Sequence, residues 1–168
     1  MRTTRNTSFE KVRGVSDVRT EADVSYIVVN MPPEERQSAR HLHLYRELAE
    51  AGIPMRLVKL HPGGVSFAVE DQYLNRARQI INKVGYDHQA AQQMVILSVV
   101  AVNMREMYGV MARIAETLLK ADVEIAQLGD SHDSVLCMVP KNRERAALKS
   151  LRTEFHLGLS TRSKGGAA

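Results

Sequence analysis

Leu48-Ala-Glu-Ala-Gly-Ile53 falls on Leu118-Leu-Lys-Ala-Asp-Val123 when the chain is slid along itself by 70 residues. At about the same offset, Phe67-Ala-Val69 meets Cys137-Met-Val139. Self-similarity at a fixed spacing is the mark of one structural unit written twice. Around the first copy the pattern alternates between strand-like and helix-like periods. Val24–Met31 is β-branched and stopped by Pro32-Pro33, so it reads as a strand. Glu34–Ala51 reads as a helix whose apolar positions Leu44, Tyr45, Leu48 and Ala51 share a face, with Gly52 as its stop. Ile53–Leu60 and Val65–Val69 form a hairpin around His61-Pro62-Gly63-Gly64, and Tyr73–Val84 is a second helix ended by Gly85.

The same order recurs from the middle of the chain. Met94–Val102 is a strand, Tyr108–Lys120 a helix with Met111, Ile114, Ala115, Leu118 and Leu119 on one side, and Val123–Leu128 a strand. Gly129–Asp133 is a turn, Val135–Val139 a strand and Asn142–Phe155 a helix. Each copy therefore reads βαββα and needs one further strand from flanking sequence. For the first copy this is Val12–Val18 or the run from Met94; for the second it is Phe155–Leu159. The expected fold is α+β, with two helices per unit on one face of an antiparallel sheet. The expected units are 9–90 and 91–159, between tails 1–8 and 160–168.

Composition sets the outer limits. The chain has 168 residues, 44% hydrophobic and 25% charged, with no Trp. That balance excludes collagen-like, disordered and disulfide-dense classes. No apolar run approaches the roughly 18 residues of a membrane helix. Cys137 is the single cysteine and sits in an apolar run, so it reads as a small buried hydrophobe in a reducing cytoplasm. Residues 1–7 lack the apolar core of a signal peptide. Of the formal charge of +4, the basic excess lies at the two ends, and the body between them is close to neutral. A nucleic-acid face needs clustered Lys and Arg with stacking aromatics, so neither nucleic acid nor membrane is an expected partner.

Chemistry-bearing constellations are sparse. Gly63-Gly64 joins two strands and lacks the Gly-Lys-Ser/Thr of a phosphate loop. His41 and His43 point to different faces of a helix, and the other histidines are scattered. His132-Asp133-Ser134 contains triad residue types, but consecutive residues cannot adopt relay geometry. No nucleophile–base pair, carboxylate pair or cofactor loop stands out, so neither enzyme activity nor a cofactor is expected. The methionines Met104, Met107 and Met111 read either as an adaptable contact surface or as packing.

A tandem βαββαβ unit resembles the ACT domain, a regulatory module of ferredoxin-like topology, and more closely the regulatory region of aspartokinase. In that family a strand ends in V-G-x-R, V-A-A-R opens a helix and A-E-A-G-I-N-I leads into a second strand. Here Val102, Arg105, Gly109, Val110, Ala112 and Arg113 keep those places, and Lys120–Ile125 looks like the A-G-I-N-I segment. Val12–Val18 is similar to the I-T-G-V run that opens the regulatory region. Nothing resembles the kinase catalytic domain, for which 168 residues leave no room. The first unit departs from the pattern: the family's Pro-Gly falls on Ser38 and Ala39, and its Gln-Asn on Leu60 and His61.

The resemblance implies a small amino-acid effector, lysine, threonine or similar, held in the second unit. Physically, its carboxylate needs a helix start with free N–H groups, which the loop Asn103, Met104, Arg105, Met107, Tyr108, Gly109, Val110 supplies. Gly109 permits close backbone approach, and Arg105 offers a bidentate partner. The ammonium needs acceptors: carbonyls near Leu128, the amide of Gln127, or Asp130. The plainer reading makes Gly109 a turn residue and Arg105 and Gln127 surface side chains. Two functions follow: a regulatory module that dimerises and modulates a partner enzyme of amino-acid biosynthesis, or a degenerate dimerisation protein with no effector. The homodimer is expected because such a sheet leaves edge strands whose backbone groups need partners.

Overall fold

The computed structural model describes residues 14–31, 37–102 and 109–158. Chain order is β1 (Gly14–Asn30), α1 (Gln37–Glu50), β2 (Arg56–His61), β3 (Gly64–Glu70), α2 (Leu74–Lys83), β4 (His88–Val102), α3 (Val110–Lys120), β5 (Gln127–Asp130), β6 (Ser134–Pro140) and α4 (Glu144–Glu154). The offset of 70 found in the sequence recurs in the structure. β6 lies that distance after β3, the single 3-10 turn Lys141–Arg143 after its counterpart Asp71–Tyr73, and α3 ends at Lys120 where α1 ends at Glu50. Among the described residues no helix is long and apolar enough to cross a membrane.

The strands form one antiparallel sheet in the order β2-β3-β1-β4-β6-β5. β1 and β4 are long because each serves both halves. The end of β1, Val24–Asn30, pairs with β3, while its beginning, Gly14–Thr20, pairs with Val102–Leu97 of β4 beside β6. The beginning of β4, His88–Ala91, returns the favour against Val29–Tyr26. The extra strand of each half thus comes from the long strand that opens the other half. Phe155–Leu157, read from the sequence as the start of a strand, instead closes α4: Leu157 N donates to Arg152 O. Bulges at Val15/Asp17, Thr20/Ala22 and Val24/Tyr26, with Gln93 at φ 56 opposite the last, bend this shared pair.

All four helices end alike. Ile53, Tyr86, Val123 and Leu157 each donate a backbone bond five residues back, to Leu48, Ile81, Leu118 and Arg152. The residue before each donor has positive φ: Gly52, Gly85, Asp122 and His156. This is the Schellman closure, which favours glycine. The second half uses Asp and His where the first uses Gly. His156→Gly is therefore expected to stabilise the protein by about 1 kcal/mol, the scale of the left-handed penalty on a side chain. A thermal melt of the two forms checks it.

One sheet face carries the helices. Ile27, Val29, Val65, Phe67 and Val69 bury against Leu44, Leu48, Leu74 and Ile81 in the first half. Val18, Val95, Leu97, Val99, Val135, Cys137 and Val139 bury against Ile114, Leu118, Ala147 and Leu151 in the second. Burial pushes the Cys137 thiol up to about 12, so it stays protonated and inert. Polar ties fix the helix starts to β1. Ser25 Oγ donates to Asp71 at 2.6 Å, and Lys141 Nζ lies 2.5 Å from Asp23 and 2.8 Å from Glu144. Partial burial raises the Glu144 carboxyl, but hydrogen bonds from Lys141 and Thr20 outweigh it and hold the group below its usual value.

Among the described residues the other face has no helix, yet Val24, Ala68, Met94, Ile96 and Met138 on it are buried, packed with Ala22, Tyr26, Leu57 and Leu136. They are covered because the bent sheet closes on itself and brings edge strand β2 against edge strand β5.

Candidate functional site

Helix α3 starts at Gly109, which is exposed and left-handed (φ 79, ψ 3), and Gly109 O receives the first helical bond, from Arg113 N. Gly109, as the N-cap residue, has no side chain with which to cap this start. The N–H groups of Val110, Met111 and Ala112 precede the first intrahelical donor and are the free donors that every helix leaves at its beginning. Among the described residues, a Cβ built on Gly109 meets nothing within 4 Å. Basic Lys120 lies in the last turn, in keeping with the helix dipole.

The structure separates the residues expected to share the site. Val110, at the α3 start, is buried in the second core, and Leu128 packs against that same core. Asp130 is exposed at the end of β5. Gln127 points to the opposite face, where its amide is already engaged: Ser66 Oγ donates to Oε1 at 3.4 Å, and Nε2 donates to Leu57 O. It is therefore turned away from the α3 start and does not supply the ammonium acceptor there. Asn103, Met104, Arg105, Met107 and Tyr108 lie outside the described residues.

Sequence reasoning missed the contact that Gln127 makes. Leu57 and Gln127 are 70 residues apart, the repeat offset itself, so the same position of each copy meets its counterpart where β2 and β5 touch. Leu57 holds a left-handed φ of 49. Gly129 leaves room for it: a Cβ there would lie 2.7 Å from Leu57 Cδ2. Gln127→Ala is expected to cost about 1–3 kcal/mol, because it strands the part-buried Leu57 carbonyl and the buried Ser66 hydroxyl. Chemical denaturation checks the loss, with faster amide exchange in β2 as the local readout.

His41 is buried on α1 with its ring stacked on Tyr45 (centroids 6.2 Å apart, planes 14°), and its Nε2 meets no partner among the described residues. No group of three or more His, Cys, Asp or Glu side chains among the described residues is placed to hold a metal.

Residues 97–155 match the ACT domain family model. That stretch, about a third of the chain, is similar to an ACT domain. Over 150 residues, 89% of the chain, the sequence is 24% identical to aspartokinase 1 of Bacillus subtilis (strain 168) and spans 36% of that protein's length. The fold superposes on the ligand-free regulatory subunit of aspartate kinase from Thermus thermophilus with a TM-score of 0.74 at 18% identity, covering 85% of this chain and 99% of that one. It also superposes on E. coli aspartokinase III in complex with lysine and aspartate, with a TM-score of 0.67 at 9% identity, covering 86% of this chain and 34% of that one. The chain thus resembles the regulatory region of aspartokinase rather than its catalytic part. Its ferredoxin-like topology is that of these regulatory domains.

Proposed function

We propose that this protein is a regulatory module that binds a small amino acid at the start of α3 and modulates a partner enzyme of amino-acid biosynthesis. The observation that carries the reading is the start of α3 at exposed, left-handed Gly109, which has no side chain to cap it, within the stretch that matches the ACT domain family model. A free carboxylate is the ligand chemistry that unpaired N–H groups and a helix dipole favour. Likeness to a regulatory subunit that is a chain of its own, and to an aspartokinase solved with lysine, supports an amino-acid effector and a separate catalytic partner. We place the unit boundary near residue 90, at the start of β4, and assign the protein no catalytic role and no cofactor.

The module acts as a homodimer in this reading. The large hydrophobic side chains that remain exposed among the described residues are Leu42, Val58, Leu60, Met111 and Leu119. They sit on edge strand β2 or on α1 and α3, the helices that lead into the two edge strands. Contact between these surfaces of two copies would cover them. Effector and dimer are coupled if the amino acid binds two dimer arrangements unequally.

Thermal shift against lysine, threonine, methionine and the branched-chain amino acids tests the proposal. A ligand at a hundredfold excess over its dissociation constant adds about 2.7 kcal/mol, which raises Tm by about 5–10 °C for a chain of this size. A melting temperature indifferent to all of them favours the second reading, a dimerisation module that binds no effector. That reading has its own support in the engagement of Gln127 with Leu57 and Ser66.

A further inference from the structure

We propose that the groove between α3 and α4 is a docking surface for an acidic, amphipathic helical segment of another protein. The repeat supplies an internal comparison. Between α1 and α2, Glu47 and Glu50 stand with Arg76 and Lys83, and Lys83 Nζ bonds Glu47 across the groove at 3.0 Å. That groove is balanced in charge. The α3/α4 groove is larger, about 730 Å³ against 400 Å³, and it carries Arg113, Lys120 and Lys149 against Glu154 alone.

The single carboxylate is already used. The Arg113 guanidinium donates to Glu154 Oε1 at 3.0 and 2.8 Å and lies 4.7 Å over the Phe155 ring. Lys120 and Lys149 therefore face the groove with no carboxylate partner among the described residues, and both are exposed. The hydroxyls of Thr117 and Thr153 turn back onto the carbonyls of Arg113 and Lys149, at 2.6 and 2.9 Å. Beside them run Ala121 and Ala146. The floor is thus short and largely apolar, with ammonium groups beside it.

Charge selects the occupant. The chain's own ends carry Arg2, Arg5, Lys11 and Arg13 against Glu10, and Arg162 and Lys164 with no acid, so both are repelled by this groove. A second copy offers an α1/α2 face that is already neutral. What remains is a helix from a different protein, with small apolar side chains for the floor and carboxylates for Lys120 and Lys149. The inference stands on the groove alone and does not require an amino-acid effector.

A designed helical peptide of about 20 residues, long enough to hold a helix, with Glu on one face and Leu and Ala on the other, is titrated into the full chain against a Lys-for-Glu version. Amide NMR shifts follow the binding. The acidic peptide is expected to give saturable shifts confined to α3 and α4. Binding should weaken when ionic strength rises from about 0.01 M to about 0.15 M, which shortens the Debye length from about 30 Å to about 8 Å. The double variant K120E/K149E should bind at least about tenfold more weakly with an unchanged circular dichroism spectrum, while Arg76→Glu in the other groove leaves affinity unaltered. Equal binding of the Lys peptide, indifference to K120E/K149E, shifts centred elsewhere, no saturation up to about 1 mM, or preference for a single-stranded RNA would each overturn the proposal.

Discussion

Gly64→Ala is expected to cost about 3–5 kcal/mol and to lower Tm by roughly 10–15 °C. Gly64 opens β3 opposite Asn30, at φ 148, where the chain passes so close to β1 that an added Cβ would lie 2.0 Å from Val29 O and 2.9 Å from Met31 N. Neither neighbour can retreat. Val29 is held on both sides, by Val65 and by His88, and Met31 N is bonded to Gly63 O at 2.7 Å. Left-handed backbone strain adds to the clash. Gly63→Ala is the control, since its nearest atom beyond its neighbours is His61 Nδ1 at 3.9 Å. Equal melting temperatures for the two variants would contradict the register of β1 and β3.

Deleting residues 1–20 is expected to remove the second half while leaving the first. The deletion takes Gly14–Thr20 away from β4 and exposes the edge of β4 that they cover. It also removes Val18, which is fully buried in the second core, and with it the carbonyl that accepts two bonds from Arg152 at 3.0 and 2.8 Å. A buried valine is worth about 1.5–3 kcal/mol and each lost buried bond about 1 kcal/mol. The total is on the order of 5 kcal/mol, comparable to the whole stability of a small domain. The first half keeps its own ladder, Val24–Asn30 with β3 and with His88–Ala91. Amide exchange should therefore show protection lost in β6, α3 and α4 and kept in β3 and α2. Uniform retention of protection would mean that β1 does not complete the second half.

The repeat was legible because it is carried by core positions that the fold must keep. Leu48 and Leu118 are both buried, and both accept the bond that closes their helix. The hairpin at Gly63-Gly64 and the helix stops at Gly52 and Gly85 were legible for the same reason, since each needs a backbone that glycine provides. The edge strands were read too early in both copies. Ile53 and Val123 look like strand residues because they are apolar, but they are buried as the hydrophobic caps of α1 and α3; the ladders begin at Arg56 and Gln127. β5 accordingly runs through Gly129 and Asp130, which the sequence alone assigns to a turn.

The crossing of the long strands could not be read. Val12–Val18 and Val24–Met31 present as two runs because the charged stretch Arg19–Asp23 lies between them, yet β1 is continuous through it. Bulges shift the side-chain alternation there, so the pattern of polar and apolar residues loses its period without the strand ending. For the candidate site, Gly109 stood out as a loop glycine ahead of an apolar helix, and the structure places it at that helix start. Gln127 was read as a polar strand end facing the loop. Its true direction depends on the sheet folding over on itself, which no local pattern encodes.

A titration of the isotope-labelled protein with lysine, threonine and methionine, followed at the backbone amides, tests the central claim most directly. A bound carboxylate at the start of α3 predicts saturable shifts at Val110, Met111 and Ala112, with Gly64 and Ile81 unmoved, and loss of those shifts in Gly109→Val. Amides at the head of α3 that stay fixed through millimolar amino acid, in a protein that remains folded, would contradict it.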